Sequence, residues 1–422
     1  MAGIRFAWRL LLENLRPSLS TSRTAFLAFS PPSIGEGEIA SVTKSLGSDW
    51  ITTGPKTHEF EVAFAERVTS PAALAVSSCT DALQVALAAL GIGPGDAVFT
   101  TTMTFCSTVH VIEHVSATPI LVDIDPETLN LSPIALQQAI DAVTEAGELT
   151  PRCIMPVHYA GHPCDMAAID EIAAAHGLAI VEDAAHALPA IVDGRTIGDP
   201  SGPDGLIRAT AFSFYATKNL TTAEGGMLTG PADLIEEARL WSLHGMSRDA
   251  WKRYGKGGSW YYEVIRPGFK CNMTDLQSSL GLVQLDRLSG FQTHRDQILA
   301  TYRDGFSDLA ALELHPERPN VTSAHHLYPV RLHHGHLSID RARFIDELAE
   351  RNIGASVHFI PIHIHPYYAD KYGYSASDFP VAHREYERLL SLPLNNKMTL
   401  DDAADVVTAV RDICDTFALA RD

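Results

Sequence analysis

Two carboxylates close a short apolar run, where they could hold a cationic group of a ligand. Glu182 and Asp183 follow Ile180 and Val181, so a hydrophobic strand is expected to deliver both acids to its carboxyl end. A buried carboxylate needs a cationic or hydrogen-bonding partner. The alternative for such a pair is that Asp183 caps the helix that follows.

A lysine closes a second run, made of aromatic and small residues. Lys218 directly follows the stretch 212–217, and the pair Gly225 and Gly226 comes soon after it. Because an ammonium group is costly to bury, a lysine in this position is a candidate for a lowered pKa and for Schiff-base chemistry. The glycine pair fits a tight turn beneath a bound ligand, and it fits an ordinary hairpin turn equally well.

A third candidate lies between an apolar run and the start of a predicted helix. Cys79 and Thr80, which follow Ser78, present N–H groups and a hydroxyl near the positive end of the helix dipole, which suits a phosphate; an ordinary helix cap is the alternative. An acid, a lysine and an anion site are together what pyridoxal phosphate requires. The lysine forms an imine with the aldehyde, the acid holds the pyridine nitrogen and the helix start anchors the phosphate.

The elements that would position these residues follow an α/β pattern. Short apolar runs alternate with stretches of helical period, which predicts a mostly parallel sheet that binds ligands at the carboxyl ends of its strands. The predicted helices span 81–90, 107–114 and 166–176. The predicted strands span 72–76, 97–100, 119–122, 153–157, 179–181 and, closing the series, 209–214.

The pattern of predicted strands and helices changes near residue 290. We predict a frayed N-terminal extension at 1–28, a large domain at 29–290 and a small α+β domain at 291–422. A long helix at 274–308 leads into the small domain. Its other predicted elements are strands at 327–332 and 355–359 and helices at 341–351 and 400–418.

Charge and cysteine content limit the binding partners and the cellular compartment that we expect. The 32 basic and 51 acidic residues give a formal charge of −19, which disfavours nucleic acid and anionic membranes as partners. The six cysteines form no C-x-x-C pair, which favours a reducing cytoplasm. No apolar stretch is long enough for a membrane span.

Several motifs resemble one known family, over residues 29–412. The chain is similar to the DegT/DnrJ/EryC1/StrS family of pyridoxal-phosphate-dependent sugar aminotransferases. Segments 261–264 and 268–275 are most similar to the branch acting at carbon 4 of UDP-sugars, typified by UDP-4-amino-4-deoxy-L-arabinose aminotransferase. The other matching segments are 50–56, 90–96, 122–126, 156–161, 182–186, 213–219 and 392–394.

The resemblance implies a homodimer of the aspartate-aminotransferase fold (fold type I) with active sites shared between subunits. It implies that Lys218 carries the cofactor and later shuttles a proton, that Asp183 pairs with the pyridinium nitrogen, and that His186 lies near the phenolic oxygen. The remaining implied contacts are Phe105 on the ring face, Cys79, Thr80 and Ser213 at the phosphate, and Lys270 from the other subunit.

Three features depart from the family pattern. Many relatives have glycine in place of Cys79 and asparagine in place of Lys270, and the segment 199–205 reads as an inserted surface loop. A metal site at His358, His363 and His365 is disfavoured by their spacing. We expect His325 and His326 to be packing or rim residues and Glu182 to be structural.

The implied function is an aminotransferase that moves an amino group from L-glutamate to a keto sugar nucleotide by a ping-pong cycle. The alternatives within the family are a carbon-3 keto sugar or a keto-cyclitol as acceptor. A non-catalytic regulatory protein of the same fold is disfavoured because Lys218, Asp183 and Ser213 are all present.

Overall fold

A seven-stranded sheet forms the centre of the first part of the chain. The structure, a computed structural model, describes residues 23–247 and 261–419. Six strands run parallel and Gly226–Gly230 runs against them. Across the sheet the order is Ala72–Val76 (β1), Gly226–Gly230 (β9), Arg208–Ser213 (β8), Ala179–Asp183 (β5), Thr150–Met155 (β4), Asp96–Thr101 (β2) and Thr118–Val122 (β3).

The antiparallel strand β9 corrects the prediction that 209–214 closes the series. Its sequence is rich in glycine and lacks the apolar run typical of a buried strand, so its composition does not predict a strand. The glycine at its start is required by packing, because a Cβ atom on Gly226 would lie 2.5 Å from the carbonyl carbon of Ser78.

Helices cover both faces of the sheet because alternate residues of each strand face opposite sides. On β5, Ile180 packs in one buried cluster with Phe64, while Val181 packs in another with Leu83. The helices of this part are Glu36–Leu46 (α1), Pro55–Arg67 (α2), Cys79–Ala89 (α3), Cys106–His114 (α4), Pro133–Ala146 (α5), Met166–His176 (α6) and Ala232–Ser242 (α7).

A short three-stranded sheet consists of Val321–Thr322 (β11), Ile191–Val192 (β6) and Arg195–Thr196 (β7), of which β6 and β7 lie between β5 and β8 in the chain. The predicted inserted loop, 199–205, follows β7 and is largely exposed.

A separate buried cluster organises the C-terminal part, around the sheet Leu312–Leu314 (β10), Tyr328–Leu332 (β12) and Leu389–Leu392 (β13). The long helix Asp275–Phe306 (α8) belongs to both parts, since Leu288 packs in the first core and Tyr302 in the second. The domain boundary that we predict at residue 290 falls inside this helix. The remaining helices are Arg341–Glu350 (α9), Pro366–Tyr372 (α10), Pro380–Arg388 (α11) and Leu400–Thr416 (α12).

The predicted strand at 355–359 is not formed. Only Ser356 makes a bridge, to Ser391, and the segment otherwise runs as a loop. Phe359 lines the cavity described below and Ala355 packs on the C-terminal core, which explains an apolar pattern without a strand. None of the helices in the described part of the chain is long and apolar enough to cross a membrane.

The N-terminal extension is described only in part, because residues 1–22 lie outside the described residues. Residues 23–28 contact the C-terminal part: Arg23 pairs with Asp402 at 2.6 Å, and the N–H of Leu27 donates to the carbonyl of Asn352 at 2.8 Å. The extension that we predict at 1–28 is therefore held in place over its last residues.

Candidate active site

A cavity of about 490 Å³ opens at the carboxyl ends of β5 and β8, beside the first turn of α3. This is where a parallel sheet is expected to bind a ligand. Seven of the eight predicted site residues line it: Cys79, Thr80, Phe105, Asp183, His186, Ser213 and Lys218. The eighth, Lys270, is exposed and lies outside the lining, with its Nζ against Asn272 Oδ1.

Asp183 is held rigidly at the floor of the cavity. Thr108 Oγ1 donates to its Oδ2 at 2.8 Å and the N–H of Ala185 donates to its Oδ1 at 3.1 Å. The Cys79 thiol lies 3.9 Å from Oδ1. Only 5% of Asp183 is exposed, so its carboxylate is oriented by hydrogen bonds and largely shielded from water.

The neighbouring acid points to the other side of the sheet. Glu182 Oε2 accepts a hydrogen bond from His158 Nε2 at 2.8 Å, and its Oε1 lies 3.2 Å from Arg208 Nε. His158 Nδ1 accepts from the N–H of Cys164, so the ring hydrogen is on Nε2. Glu182 thus belongs to a buried polar network beneath the sheet, as its alternation with Asp183 predicts.

Lys218 reaches the cavity from the turn after β8. Burial lowers the pKa of its ammonium group to about 8, and the nearby Cys79 and Asp183 only partly oppose that effect. Among the described residues its Nζ has no hydrogen-bond or ion-pair partner. A half-buried, unpaired amine of this kind is easily deprotonated and free to react with a carbonyl group.

The pH at which Lys218 reacts is a first prediction. Because the neutral amine is the nucleophile, the rate at which cofactor-free protein takes up pyridoxal phosphate should rise with pH and reach half its maximum near pH 8. Stopped-flow absorbance measures this rate, with Nα-acetyl-lysine as the control. A midpoint near the ordinary lysine value of about 10.4 would contradict the assigned burial effect.

The anion site is built from the start of α3. Ser78 caps the helix, its Oγ accepting from the N–H of Asp81 at 3.0 Å, and this cap is compatible with an anion bound at the same turn. The N–H groups of Cys79 and Thr80 come next and precede the first intrahelical bonds, so they stay free for a ligand. Burial raises the pKa of the Cys79 thiol well above its usual value, so the thiol stays neutral beside Asp183.

Gly226 keeps this turn in place, which gives a second prediction. In Gly226→Ala the new Cβ would lie 2.5 Å from the Ser78 carbonyl and 2.6 Å from the Cys79 nitrogen. The turn must move, so the Kd for pyridoxal phosphate, measured by equilibrium dialysis, should rise by about tenfold or more through weakened N–H contacts. The control is Gly290→Ala in α8, where a Cβ meets nothing within 4 Å; equal affinity in the two variants would refute the role given to Gly226.

Aromatic rings and histidines form the rest of the wall. The His186 ring stacks on Phe359 with centroids 5.7 Å apart and lies 4.4 Å from the ring of His326. Burial, and then the charge of Lys218, lower the pKa of His186 well below its usual value, so the ring is neutral. Its buried Nδ1 has no hydrogen-bond partner within the described chain. Phe105 is 60% exposed at the opening of the cavity.

Several residues that line the cavity or support its lining are not predicted from the sequence. Thr108 lies in the first turn of α4, and no sequence pattern around it predicts that its hydroxyl group donates to Asp183. His326, expected to be a packing or rim residue, is buried with 5% exposed and also lines the cavity, with its Nδ1 3.0 Å from Asn219 Oδ1. His358 and Phe359 come from the segment expected to be a strand. No group of three metal-ligating side chains occurs in residues 23–247 and 261–419.

The residues present fit pyridoxal phosphate. A carboxylate, an amine of lowered pKa and free N–H groups at a helix start face one cavity, and the unpartnered His186 Nδ1 leaves one polar atom for a ligand oxygen. These groups match the pyridine nitrogen, the aldehyde, the phosphate and the phenolic oxygen in turn.

Comparisons with known proteins also support a pyridoxal phosphate site. The DegT/DnrJ/EryC1/StrS aminotransferase family matches residues 32–411. The spore coat polysaccharide biosynthesis protein SpsC of Bacillus subtilis is 48% identical over 93% of this chain and 98% of its own length. The match confirms the predicted family.

Solved structures show the same fold. The putative sugar aminotransferase Spr1654 from Streptococcus pneumoniae, in its PMP form, has a TM-score of 0.83 at 34% identity, covering 92% of this chain and 99% of that one; its PLP form is similar. Helicobacter pylori PseC, an aminotransferase involved in pseudoaminic acid biosynthesis, has a TM-score of 0.83 at 25% identity, covering 93% and 100%. These likenesses confirm the predicted fold type and the pyridoxal phosphate cofactor.

Proposed function

The chain belongs to the DegT/DnrJ/EryC1/StrS aminotransferase family and is a pyridoxal-phosphate-dependent sugar aminotransferase, and within that class we propose that it aminates a keto sugar nucleotide at the expense of L-glutamate. The observation that carries this proposal is the convergence of Lys218, Asp183 and the start of α3 on one cavity. The acceptor is proposed to be a UDP-sugar with its ketone at carbon 4, on the similarity of segments 261–264 and 268–275 to that branch of the family.

Each of the chain's groups has a defined task in this reaction. Bound pyridoxal phosphate supplies an electron sink and carries the amino group between the two substrates. Lys218 holds the cofactor covalently and, once released, moves a proton to and from the reacting carbon with its Nζ. Because its pKa is about 8, this amine can both accept and return a proton near neutral pH.

The other groups hold charge and orientation. Asp183, fixed by Thr108 Oγ1, keeps a proton on the pyridine nitrogen. The neutral His186 ring lies against Phe359 and offers its Nδ1 to the phenolic oxygen. The N–H groups of Cys79 and Thr80, with the Ser213 hydroxyl, hold the phosphate.

Two unlike substrates must use this cavity in turn, so we propose a ping-pong cycle. L-Glutamate leaves its amino group and departs as 2-oxoglutarate before the keto sugar enters. The cavity volume of about 490 Å³ is in the range of small-molecule sites, which suits one substrate at a time beside the cofactor.

We also propose a homodimer in which Lys270 serves the partner's site. Lys270 is exposed and lies outside the cavity of its own chain. Val264 and Tyr261, which are 64% and 54% exposed, precede it on the same stretch, so this stretch offers apolar surface to a second copy. The cytoplasmic location remains a prediction, in keeping with six unpaired cysteines.

Substrate choice is tested with the pyridoxamine-phosphate form of the enzyme. A panel of UDP- and dTDP-keto sugars and keto-cyclitols is added, and the return of visible absorbance is followed for each compound. We expect the fastest return with a UDP-4-keto sugar. A response to 3-keto sugars or keto-cyclitols alone would reject the acceptor assigned here, and a protein that cannot be loaded with cofactor at all would favour the non-catalytic alternative.

A further inference from the structure

A second cavity shares a wall with the candidate active site. His326 lines the active-site cavity, its neighbour His325 lines a cavity of about 520 Å³, and Leu327 lines both. The segment 323–327 therefore forms the wall between the two cavities, and Ala160 and His162 line the second cavity. No step of the proposed reaction uses the second cavity, which we call the rear cleft.

The rear cleft contains a guanidinium group without a carboxylate partner. Two arginines line it, and Arg303 is neutralised by an ion pair with Glu317. Arg318 pairs with no carboxylate among the described residues, and its NH1 donates only a long hydrogen bond, 3.4 Å, to the carbonyl of Pro163. The other acid of the cleft, Asp296, lies 3.7 Å from His325 Nε2. Arg318 therefore has donors to spare.

A buried histidine nitrogen is also unsatisfied in this cleft. His162 is 5% exposed and its Nε2 has no hydrogen-bond partner in the described part of the chain. Burial, followed by the nearby His315, Arg318, His325 and His158, lowers the pKa of His162 to about 3, so the ring is neutral. In its Nε2–H form it is a hydrogen-bond donor without an acceptor, which is costly to leave unmet.

We propose that the rear cleft binds a small molecule through an oxyanion, a phosphate group or a carboxylate, held by Arg318 and His162. A planar guanidinium favours two parallel hydrogen bonds to such a group, and a neutral imidazole N–H adds a third. The cleft has room for an organic molecule that carries the oxyanion.

A ligand in the rear cleft would contact the segment 323–327, and the other side of this segment supports the active site. Ser323 Oγ donates to the carbonyl of Gly161 at 2.9 Å, and the N–H of His326 donates to that of Ala160 at 3.0 Å. Asn219, next to Lys218, donates to the carbonyl of Ala324 at 2.7 Å. Binding of a ligand in the rear cleft would thus act directly on the segment that carries His326.

The test is calorimetric titration of the cofactor-loaded enzyme, whose cofactor phosphate site is already filled. Inorganic phosphate and succinate are titrated separately, into wild type, Arg318→Gln and His162→Gln. The matched control is Arg67→Gln, because Arg67 also lacks a carboxylate partner among the described residues and donates to Ser289 Oγ at 3.3 Å. Circular dichroism establishes that each variant is folded, and Arg318 is the safer site because it is half-buried.

We expect saturable binding of at least one probe to wild type, weakened about tenfold by Arg318→Gln and unchanged by Arg67→Gln. Binding of phosphate alone would identify a phosphate-bearing ligand, and binding of succinate alone a carboxylate. Equal affinity in wild type and Arg318→Gln would overturn the proposal, as would no saturable binding of either probe.

Discussion

Replacing Lys218 with arginine is expected to lower kcat by roughly 10³-fold, the loss typical of removing a positioned proton-transfer group. Arginine keeps the positive charge but stays protonated, so it can neither attach the cofactor nor accept a proton. The contrast with wild type rests on burial, which brings the pKa of Lys218 to about 8.

Two measurements separate this loss from misfolding. The variant should still bind pyridoxamine phosphate, because the phosphate and ring contacts do not involve Lys218, and it should lack the visible band of lysine-bound cofactor. Lys44→Arg, at an exposed position on α1, is the control and should keep full activity. Retention of more than about a tenth of kcat in Lys218→Arg would reject its role in proton transfer.

The Asp183→Asn variant should lower kcat by about 10²- to 10³-fold, the usual cost of losing a preorganised charge in a shielded site. Asparagine keeps the shape of the side chain but cannot hold a proton on the pyridine nitrogen. Thr108 and the N–H of Ala185 would remain in place, so the geometry of the floor should change little.

The spectrum distinguishes an electrostatic loss from a binding loss. In Asp183→Asn the cofactor should still attach to Lys218 and give its visible band, while turnover falls. Asp204→Asn, in the exposed loop before β8, removes the same charge far from the cavity and should have no effect. Activity within about threefold of wild type would show that Asp183 does not hold the pyridine nitrogen.

The parts of the fold that sequence predicts best are those with a strong local pattern. The apolar run ending at Asp183 is bounded by polar residues and forms β5, and the helix predicted at 166–176 forms as Met166–His176. Strand ends gather at one edge of a parallel sheet, so Asp183, Ser213 and the helix start after β1 could be expected to meet.

The rest depends on contacts between distant parts of the chain. Strand β9 is held by its two neighbours rather than by its own residues, and Phe359 is apolar because it packs on His186. Thr108 becomes important only because its helix lies over Asp183, a contact across 75 positions of sequence. No local pattern encodes such contacts, so the sequence predicts the candidate site residues but not several of the residues that support them.

The transferred nitrogen atom provides the most direct test of the proposed function. The enzyme is incubated with ¹⁵N-labelled L-glutamate and a UDP-4-keto sugar, and the product is analysed by mass spectrometry and NMR. We expect one ¹⁵N atom bonded to carbon 4 of the sugar, 2-oxoglutarate in equal amount, and product formation slowed by roughly 10³-fold in Lys218→Arg. Label that stays in glutamate while the enzyme carries its cofactor, or label at another carbon, would contradict the proposed function.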